Sequence, residues 1–566
     1  MPGFNFFYNK ESIEIKRNKN LVLDEIRGNN YQINRFTLEK FLEDKLFIDN
    51  ETIIIVLEGV ILNKKELLKK YNFKIWSELV IFLAKENSEF FNEFRGTFTG
   101  LTFYKERLEW IIYADQLSSK HLYYFQSNSA LIVSSEIEDL YIYFKENNID
   151  SELDIKAANN LLSYGYMLNN DTLSLNVRKF EAGTFLNIKN NQFEIKQYYK
   201  LPLAPKKTNL SESEILKQVD IKFRTAIKRQ FDKDVEYNYK HLVALSGGLD
   251  SRMTSWVAHE MGYENQLNFT FSQTDYLDET IPKKIATDLK HEWIFKALDN
   301  GIFLKDIEEI NRMTGGNVLY YGLAHGNSML KYINFEELGM FHTGMLGDVV
   351  IGSFVNNFSP KALQNLSGAY SKNNLINENK DESPEAIENR LIYQRGINGA
   401  NNGLIALHKY SESMSPFYDI DFFEFCLSIP IHLRMNHDLY KKWILKYYPK
   451  SADYIWEKTK SRIDSKVFKI KIKGHLLTIP EIISIGSAKL GLIKTGISSK
   501  NHMNPLEYWY TTNPDIKLFQ DNYFKININN ISDKNLKEVC TDLYNKGNAL
   551  QKNQALSLIA AIKLFF

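Results

Sequence analysis

Residues 241–256, HLVALSGGLDSRMTSW, constrain this chain more than any other stretch. Leu242–Leu245 reads as a short buried strand, and Met253, Trp256, Val257 and Met261 recur at the spacing of one helix face. Between them, Ser246-Gly247-Gly248-Leu249-Asp250-Ser251 must turn the backbone from strand into helix. Two adjacent glycines permit a sharp turn, so that N–H groups and the helix N-terminus converge on one point. Partial positive charge collects there and makes an anion site. The two serine hydroxyls add donors. Asp250 is out of place beside a bare phosphate, but it fits a polyphosphate that Mg²⁺ bridges to it. No lysine follows the glycines, so this is not the GxxxxGK[ST] loop.

The rhythm continues downstream. Leu267–Phe271 predicts a second strand, Ile281, Ile285, Ala286 and Leu289 a second helix face, and Trp293–Phe295 and Met340–His342 further strands. Alternating strands and helices predict a parallel sheet with ligands at the carboxyl ends of its strands. The first two hundred residues read differently. Thr52–Leu57, Thr97–Tyr104, Glu109–Tyr113, Leu122–Phe125 and Leu131–Ser134 are closely spaced runs that predict antiparallel strands, with helices over Lys64–Tyr71 and Ser77–Lys85. LPLAPKKTN, with Pro202 and Pro205, breaks the pattern, and a helix is predicted from about Ser211. The expected class is therefore α/β: an N-terminal α+β domain over residues 1–205 and a C-terminal parallel-sheet domain over 206–566. Beyond residue 400 the pattern is mostly helical and ends in the apolar QALSLIAAIKLFF, while Lys466–Lys473 alternates lysines with apolar residues like a solubilised edge strand.

Composition removes several classes. Lys+Arg is 70 against Asp+Glu 69, which lacks the basic excess of a protein that grips nucleic acid phosphates. Two cysteines, Cys426 and Cys540, exclude a disulfide framework and a cysteine-rich zinc site. The start, MPGFNFFYNKESIEIKRNKN, has no signal-peptide pattern, and the best membrane candidate, Leu476 to Leu492, is broken by Glu481 and Lys489. The expectation is a cytoplasmic protein without nucleic acid or membrane partners.

The six-residue loop resembles the PP-loop of ATP pyrophosphatases. From it the likeness extends along nearly the whole chain to the asparagine synthetase superfamily, which also holds β-lactam synthetases and lasso-peptide cyclases. The family's SGEGADE segment corresponds to His342-Thr343-Gly344-Met345-Leu346-Gly347-Asp348, and its E-x-R-x-PFLD to Glu412-Ser413-Met414-Ser415-Pro416-Phe417-Tyr418-Asp419. A lysine that stabilises phosphate charge matches Lys458 in YIWEKTKSRI, with Lys460 as competitor. The resemblance implies ATP and Mg²⁺ as cofactors. It puts Leu245, Ser246, Gly247, Gly248, Asp250, Ser251, Phe271, Thr343 and Gly344 around the nucleotide, and Asp250 and Asp348 on the metal. It implies a ligase that adenylates a small-molecule or peptide carboxylate, releases pyrophosphate and passes the acyl group to an amine. Specialised-metabolite, peptide and surface-saccharide substrates are all open, as is homodimerisation. Met345 stands where ring-closing members have Tyr and asparagine synthetases have Glu, and it cannot move a proton. Either Glu412 or another residue then assists the amine, or the amine arrives deprotonated, or activity is weak. A non-catalytic binding or scaffold subunit is the alternative.

The front half is similar to the family's amidotransferase domain, through Glu58–Asn63, FNEFRGTFTGLTFY, YADQLSSKHLYYF and VSSEIEDL. Glutamine-dependent members use an N-terminal cysteine as nucleophile. Here residue 2 is proline and the nearest cysteine is Cys426. The Asn-Gly-Glu that holds glutamine reads Glu58-Gly59-Val60, and the Arg before Asp115 is replaced by Tyr113. The expectation is a domain without glutaminase activity.

Overall fold

The computed structural model describes residues 2–10, 13, 15, 20–127, 130–202, 210–359, 382–465, 469–472, 475–478 and 495–566. Pro205, most of the Leu476–Leu492 run and the ends of Lys466–Lys473 lie outside them.

The front half is built from two six-stranded antiparallel sheets. One contains β1 (Gly3–Tyr8), β2 (Val22–Arg27), β3 (Tyr31–Thr37), β8 (Tyr123–Gln126), β9 (Leu131–Ser134) and β10 (Val177–Lys179). The other contains β4 (Leu46–Asp49), β5 (Ile53–Ile61), β6 (Gly96–Tyr104), β7 (Glu109–Ala114), β11 (Thr184–Lys189) and β12 (Gln192–Gln197). The period of two explains the layering. On β5, Ile54 and Val56 face the other sheet and meet Phe4, Phe6, Leu101 and Val133. Ile53, Ile55 and Leu57 face the helices Lys64–Tyr71 and Trp76–Glu86. Both faces of the strand are buried, which is why it reads as a continuous TIIIVL run rather than an alternation. Strands unannounced by apolar runs lie at the edges: β2 and β12 carry alternating charges and leave most side chains exposed.

The C-terminal half holds a five-stranded parallel sheet in the order β15-β14-β13-β16-β17: β13 is Lys240–Ala244, β14 Gln266–Ser272, β15 Glu292–Ala297, β16 Leu338–His342 and β17 Ser413–Met414. The long helix Glu212–Glu236 begins at Ser211, whose side chain and Glu214 form a reciprocal capping box. Lys469–Ile472 pairs only with His475–Thr478, as a separate two-stranded ribbon. Among the described residues no helix is long and apolar enough to cross a membrane.

The two halves share their cores. Phe41, Val60, Leu62 and Leu201 belong to the cluster built around β13 and β16. The C-terminal helix Ala549–Phe565 packs against the front half's helices Ile137–Glu146 and Ile155–Tyr164, with Tyr141 stacked on Phe565 at 4.3 Å. That helix is apolar on almost every side because almost every side is covered.

Candidate active site

β13 lies at the centre of the parallel sheet. The chain proceeds from it to β14 and β15 on one side, then returns to β16 and β17 on the other. The order therefore reverses between β13 and β16, the place where open parallel sheets leave a crevice beyond their strand ends. The Ser246–Ser251 loop leaves β13 into this crevice, and Thr343–Asp348 leaves β16 beside it.

Side chains hold the loop in shape. Ser251 Oγ accepts from Ser246 N at 2.9 Å and lies 2.9 Å from Ser246 Oγ, which accepts from Gly248 N at 3.2 Å. Gly247 N donates to Asp278 Oδ1 at 2.7 Å. From beneath, fully buried Arg252 donates to the carbonyls of Gly247, Ser451, Tyr454 and Ile455, and Glu457 N donates to Gly247 O at 3.1 Å. The loop is thus pinned to the 451–457 segment that precedes Lys458. Two glycines let the second loop approach the first. A Cβ on Gly344 would lie 2.2 Å from Ser251 N, and one on Gly347 would lie 2.6 Å from Asp250 Cγ.

Asp250 and Asp348 meet at this junction, where Asp348 N donates to Asp250 Oδ2 at 3.0 Å. Asp250 Oδ1 is buried and accepts no well-formed hydrogen bond. Burial first, and the Asp348 carboxylate second, push the Asp250 pKa well above the ordinary carboxylate range. The Asp348 N–H, the Tyr440 hydroxyl and Lys458 offset part of that rise. Lys458 Nζ sits 3.9 Å from Asp348 Oδ2 and 3.0 Å from His437 Nε2, with its head over the Trp456 ring. Desolvation, then Lys458, lowers the His437 pKa to about 4, so its ring is neutral and can accept from the ammonium. Asn436 and His437 both adopt left-handed backbone, at φ 57° and 59°.

The junction opens into a cavity of about 710 Å³, within the size range of small-molecule sites. Ser246, Gly248, Asp250, Ser251, Phe271, Thr343, Gly344 and Met345 line it. Leu245 and Gly247 do not. Leu245 spends its N–H on Phe269 O and its carbonyl on Thr270 Oγ1, and the Gly247 backbone is taken up by Asp278, Arg252 and Glu457.

Glu412 is not brought to the cleft. It is 2% exposed and ion-paired to Lys120, at 2.9 Å and 3.0 Å, with Lys45 at 3.9 Å. Burial by itself would raise its pKa, but Lys120 and Lys45 outweigh that and hold the carboxyl below its usual range. A permanently ionised, doubly paired carboxylate is an anchor between the halves rather than a base for an amine. Lys460 also stands apart: its backbone is left-handed (φ 52°), and among the described residues it makes no ion pair with either aspartate. Asp278, His437 and Tyr440 complete the site, and no motif singled them out. Each comes from an element remote in sequence from the loop it supports.

In the front half, Glu58, Tyr113 and Asp115, three of the positions that correspond to a glutamine pocket, are buried, while Pro2 lines a cavity of about 830 Å³. Glu58 is fully buried, accepts from Thr37 Oγ1 at 2.6 Å and lies 3.9 Å from Arg35 Nε. Tyr113 is fully buried and stacked on Phe91 at 4.0 Å. Asp115 is saturated by Leu117 N, Ser119 N and Ser119 Oγ. Both cysteines are buried in the C-terminal half, and desolvation raises each thiol to about 12.

A glutamine amidotransferase domain model matches residues 43–199. Among curated proteins, the chain is 27% identical over 272 residues to the Methanocaldococcus jannaschii protein named "Putative asparagine synthetase 2, glutamine-hydrolyzing". It is 26% identical over 278 residues to asparagine synthetase 1 (glutamine-hydrolyzing) of Bacillus subtilis strain 168. These matches cover 45% and 47% of this chain and 52% and 42% of the relatives, so about half of each relative is spanned. Among solved structures, glutamine phosphoribosylpyrophosphate amidotransferase from B. subtilis aligns over 56% of this chain and 68% of its own, at 11% identity and a TM-score of 0.22. The domain match in the front half and the relatives' sequence similarity together support a likeness to the asparagine synthetase superfamily.

Proposed function

We propose that this chain is an ATP-dependent, AMP-forming amide ligase that adenylates a substrate carboxylate and transfers the acyl group to an amine without using glutamine. The observation that carries the reading is the Asp250–Asp348 pair, set beside a loop whose Ser246 and Ser251 hydroxyls lie 2.9 Å apart and faced by Lys458.

The residues suit Mg²⁺. The donors are oxygens only, and Asp250 Oδ1 is a buried acceptor with no well-formed hydrogen bond. Two adjacent carboxylates in a partly desolvated site repel each other unless a cation joins them. Asp250 and Asp348 would hold the ion, which neutralises charge on the leaving pyrophosphate. The chain's own part follows from its geometry. The N–H groups and hydroxyls of Ser246, Gly248 and Ser251 orient the polyphosphate. Lys458, steered by neutral His437, meets negative charge as the carboxylate oxygen attacks the α-phosphorus and pyrophosphate departs. The cavity then holds the acyl-adenylate in place until the amine attacks and AMP leaves. Met345 offers no base, so the amine must arrive deprotonated or lose its proton to solvent or to its own co-substrate.

The test is pyrophosphate release from ATP by the purified chain over a panel of carboxylates and amines. Asp250→Asn should abolish it, and unchanged release in that variant would refute the assignment. The second reading, a non-catalytic binding subunit, is favoured by Met345. It predicts nucleotide binding with no pyrophosphate from any substrate pair.

In this reading the front half takes no part in glutamine hydrolysis. Glu58, Tyr113 and Asp115 are committed to packing and internal bonds, and neither cysteine is activated. Its proposed role is structural, through Lys45 and Lys120 on Glu412 and through Asp44 on Lys233.

A further inference from the structure

The cavity says more than that something is adenylated there. Apart from the two loops and the ends of β13 and β14, its wall comes from Val318 and Leu319, the helix Tyr321–Leu330, the segment 399–407 and Leu550. The side chains there include Leu323, Leu404 and Leu407. Gly322, Gly326 and Gly403 widen the space between them: a Cβ on Gly322 would meet nothing within 4 Å, and one on Gly326 would only touch Phe271 at 3.6 Å.

Polar groups on this wall are few and none is charged, although Asn327 Oδ1 and His325 Nδ1 are buried without a hydrogen-bond partner among the described residues. Asn402 Nδ2 donates to the carbonyls of Asn398 and Gly399, and Asn327 Nδ2 to Glu309. His325 packs edge-on against Phe271 at 4.8 Å, and burial lowers its pKa to about 4, so it is neutral at physiological pH. No lysine or arginine is among the described lining residues, and Asp250 is the one acidic residue there. A second carboxylate on the substrate would therefore be desolvated without a cation, close to Asp250 and to the phosphates of ATP. An apolar body would instead bury its surface against matching walls.

Resting on the proposed adenylation reading, we infer that the acyl substrate is a monocarboxylic acid whose body is uncharged and apolar, aliphatic or aromatic, and that aspartate-like dicarboxylates are rejected.

The experiment measures binding of stable acyl-adenylate mimics to the full chain by titration calorimetry. Octanoyl- and phenylacetyl-sulfamoyladenosine are compared with aspartyl-sulfamoyladenosine, with ATP–Mg²⁺ titrated in parallel. The expected result is that at least one apolar mimic binds about 100-fold more tightly than the aspartyl one, in keeping with the penalty for leaving a buried polar group unpaired. Gly322→Leu, whose new side chain has room to extend, should weaken the apolar mimics at least tenfold while ATP–Mg²⁺ still binds. Equal affinity, or preference for the aspartyl mimic, overturns the inference and leaves adenylation standing. Failure of every mimic to bind while ATP–Mg²⁺ does also overturns it. Failure of ATP–Mg²⁺ itself refutes the adenylation reading, and the inference falls with it. Unchanged binding of the apolar mimics in Gly322→Leu removes this wall from the acyl site.

Discussion

The front half and the C-terminal cleft both gather charged side chains beneath a sheet, with opposite results. At the junction beside Asp115 and Met414, the space left is about 10 Å³, room for about one water. At the ends of β13 and β16 it is about 710 Å³. The difference lies in pairing. In the front half and at its junction with the C-terminal half, Glu58 has Thr37 on one oxygen and Arg35 at 3.9 Å from the other, Glu412 has Lys120 and Lys45, and Asp115 has four donors. In the cleft, two carboxylates face one another and a lysine leans on a neutral histidine. Charges that satisfy each other make an interface. Charges left short of partners make a site.

The strongest way to break this contrast is at Asp250. Asp250→Asn should lower pyrophosphate release by on the order of 10³-fold or more, since losing a metal carboxylate removes several kcal/mol of transition-state stabilisation. Thermal stability should hold or rise, because an amide relieves repulsion from Asp348.

Glu412 should show the reverse profile. Glu412→Ala leaves Lys120 and Lys45 buried without their partner and should cost about 3–5 kcal/mol of stability, read from urea melts. Adding Lys120→Met should recover part of that loss. If Glu412→Ala kept full stability and lost only turnover, Glu412 would belong to the chemistry after all.

Lys458 tests the cleft more finely. Lys458→Ala should cost about 10²–10³-fold in kcat with ATP binding little changed, about 3–4 kcal/mol, because a cation at the α-phosphate acts when charge peaks. Lys460→Ala should be nearly silent. Reversed behaviour would move the role to Lys460.

A smaller effect is expected from pH. Burial, and the Glu457 charge after it, raise the Asp278 pKa to about 6 against the opposing Gly247 N–H. Below that pH Asp278 protonates and becomes a weaker acceptor for the loop amide. KM for ATP should therefore rise a few-fold as pH falls through 6. Asp278→Asn should show the raised KM at every pH, with this inflection gone. The least effect of all is expected from glutamine: adding it should neither release glutamate nor raise the rate of amide formation, and glutamate above a heat-killed control would reopen the front half as an enzyme.

Much of this was legible in sequence because the physics is local. The strand–Gly-Gly–helix turn at 241–256 must make a cradle of N–H groups wherever it sits, and the continuous apolar run of β5 must be buried on both faces. Ser211 with Glu214 marks a helix start within four residues. The mostly polar β12 and the two-residue β17 escaped, since edge pairing needs no apolar signature. Glu412 misled for a related reason: its segment does reach the end of β16, but nothing local reveals that Lys45 and Lys120 arrive from the other half to take its carboxylate.

By itself, then, the sequence determined the strand–glycine–helix turn, since it depends on residues within a few positions of one another. Tertiary structure alone decided that Asp278 and Arg252 staple the loop, that His437 steers Lys458, that Glu412 is an anchor, and that the cavity wall is apolar. Those facts depend on groups far apart in sequence, 292 residues in the case of Lys120 and Glu412, and such pairs exist only once both cores have closed.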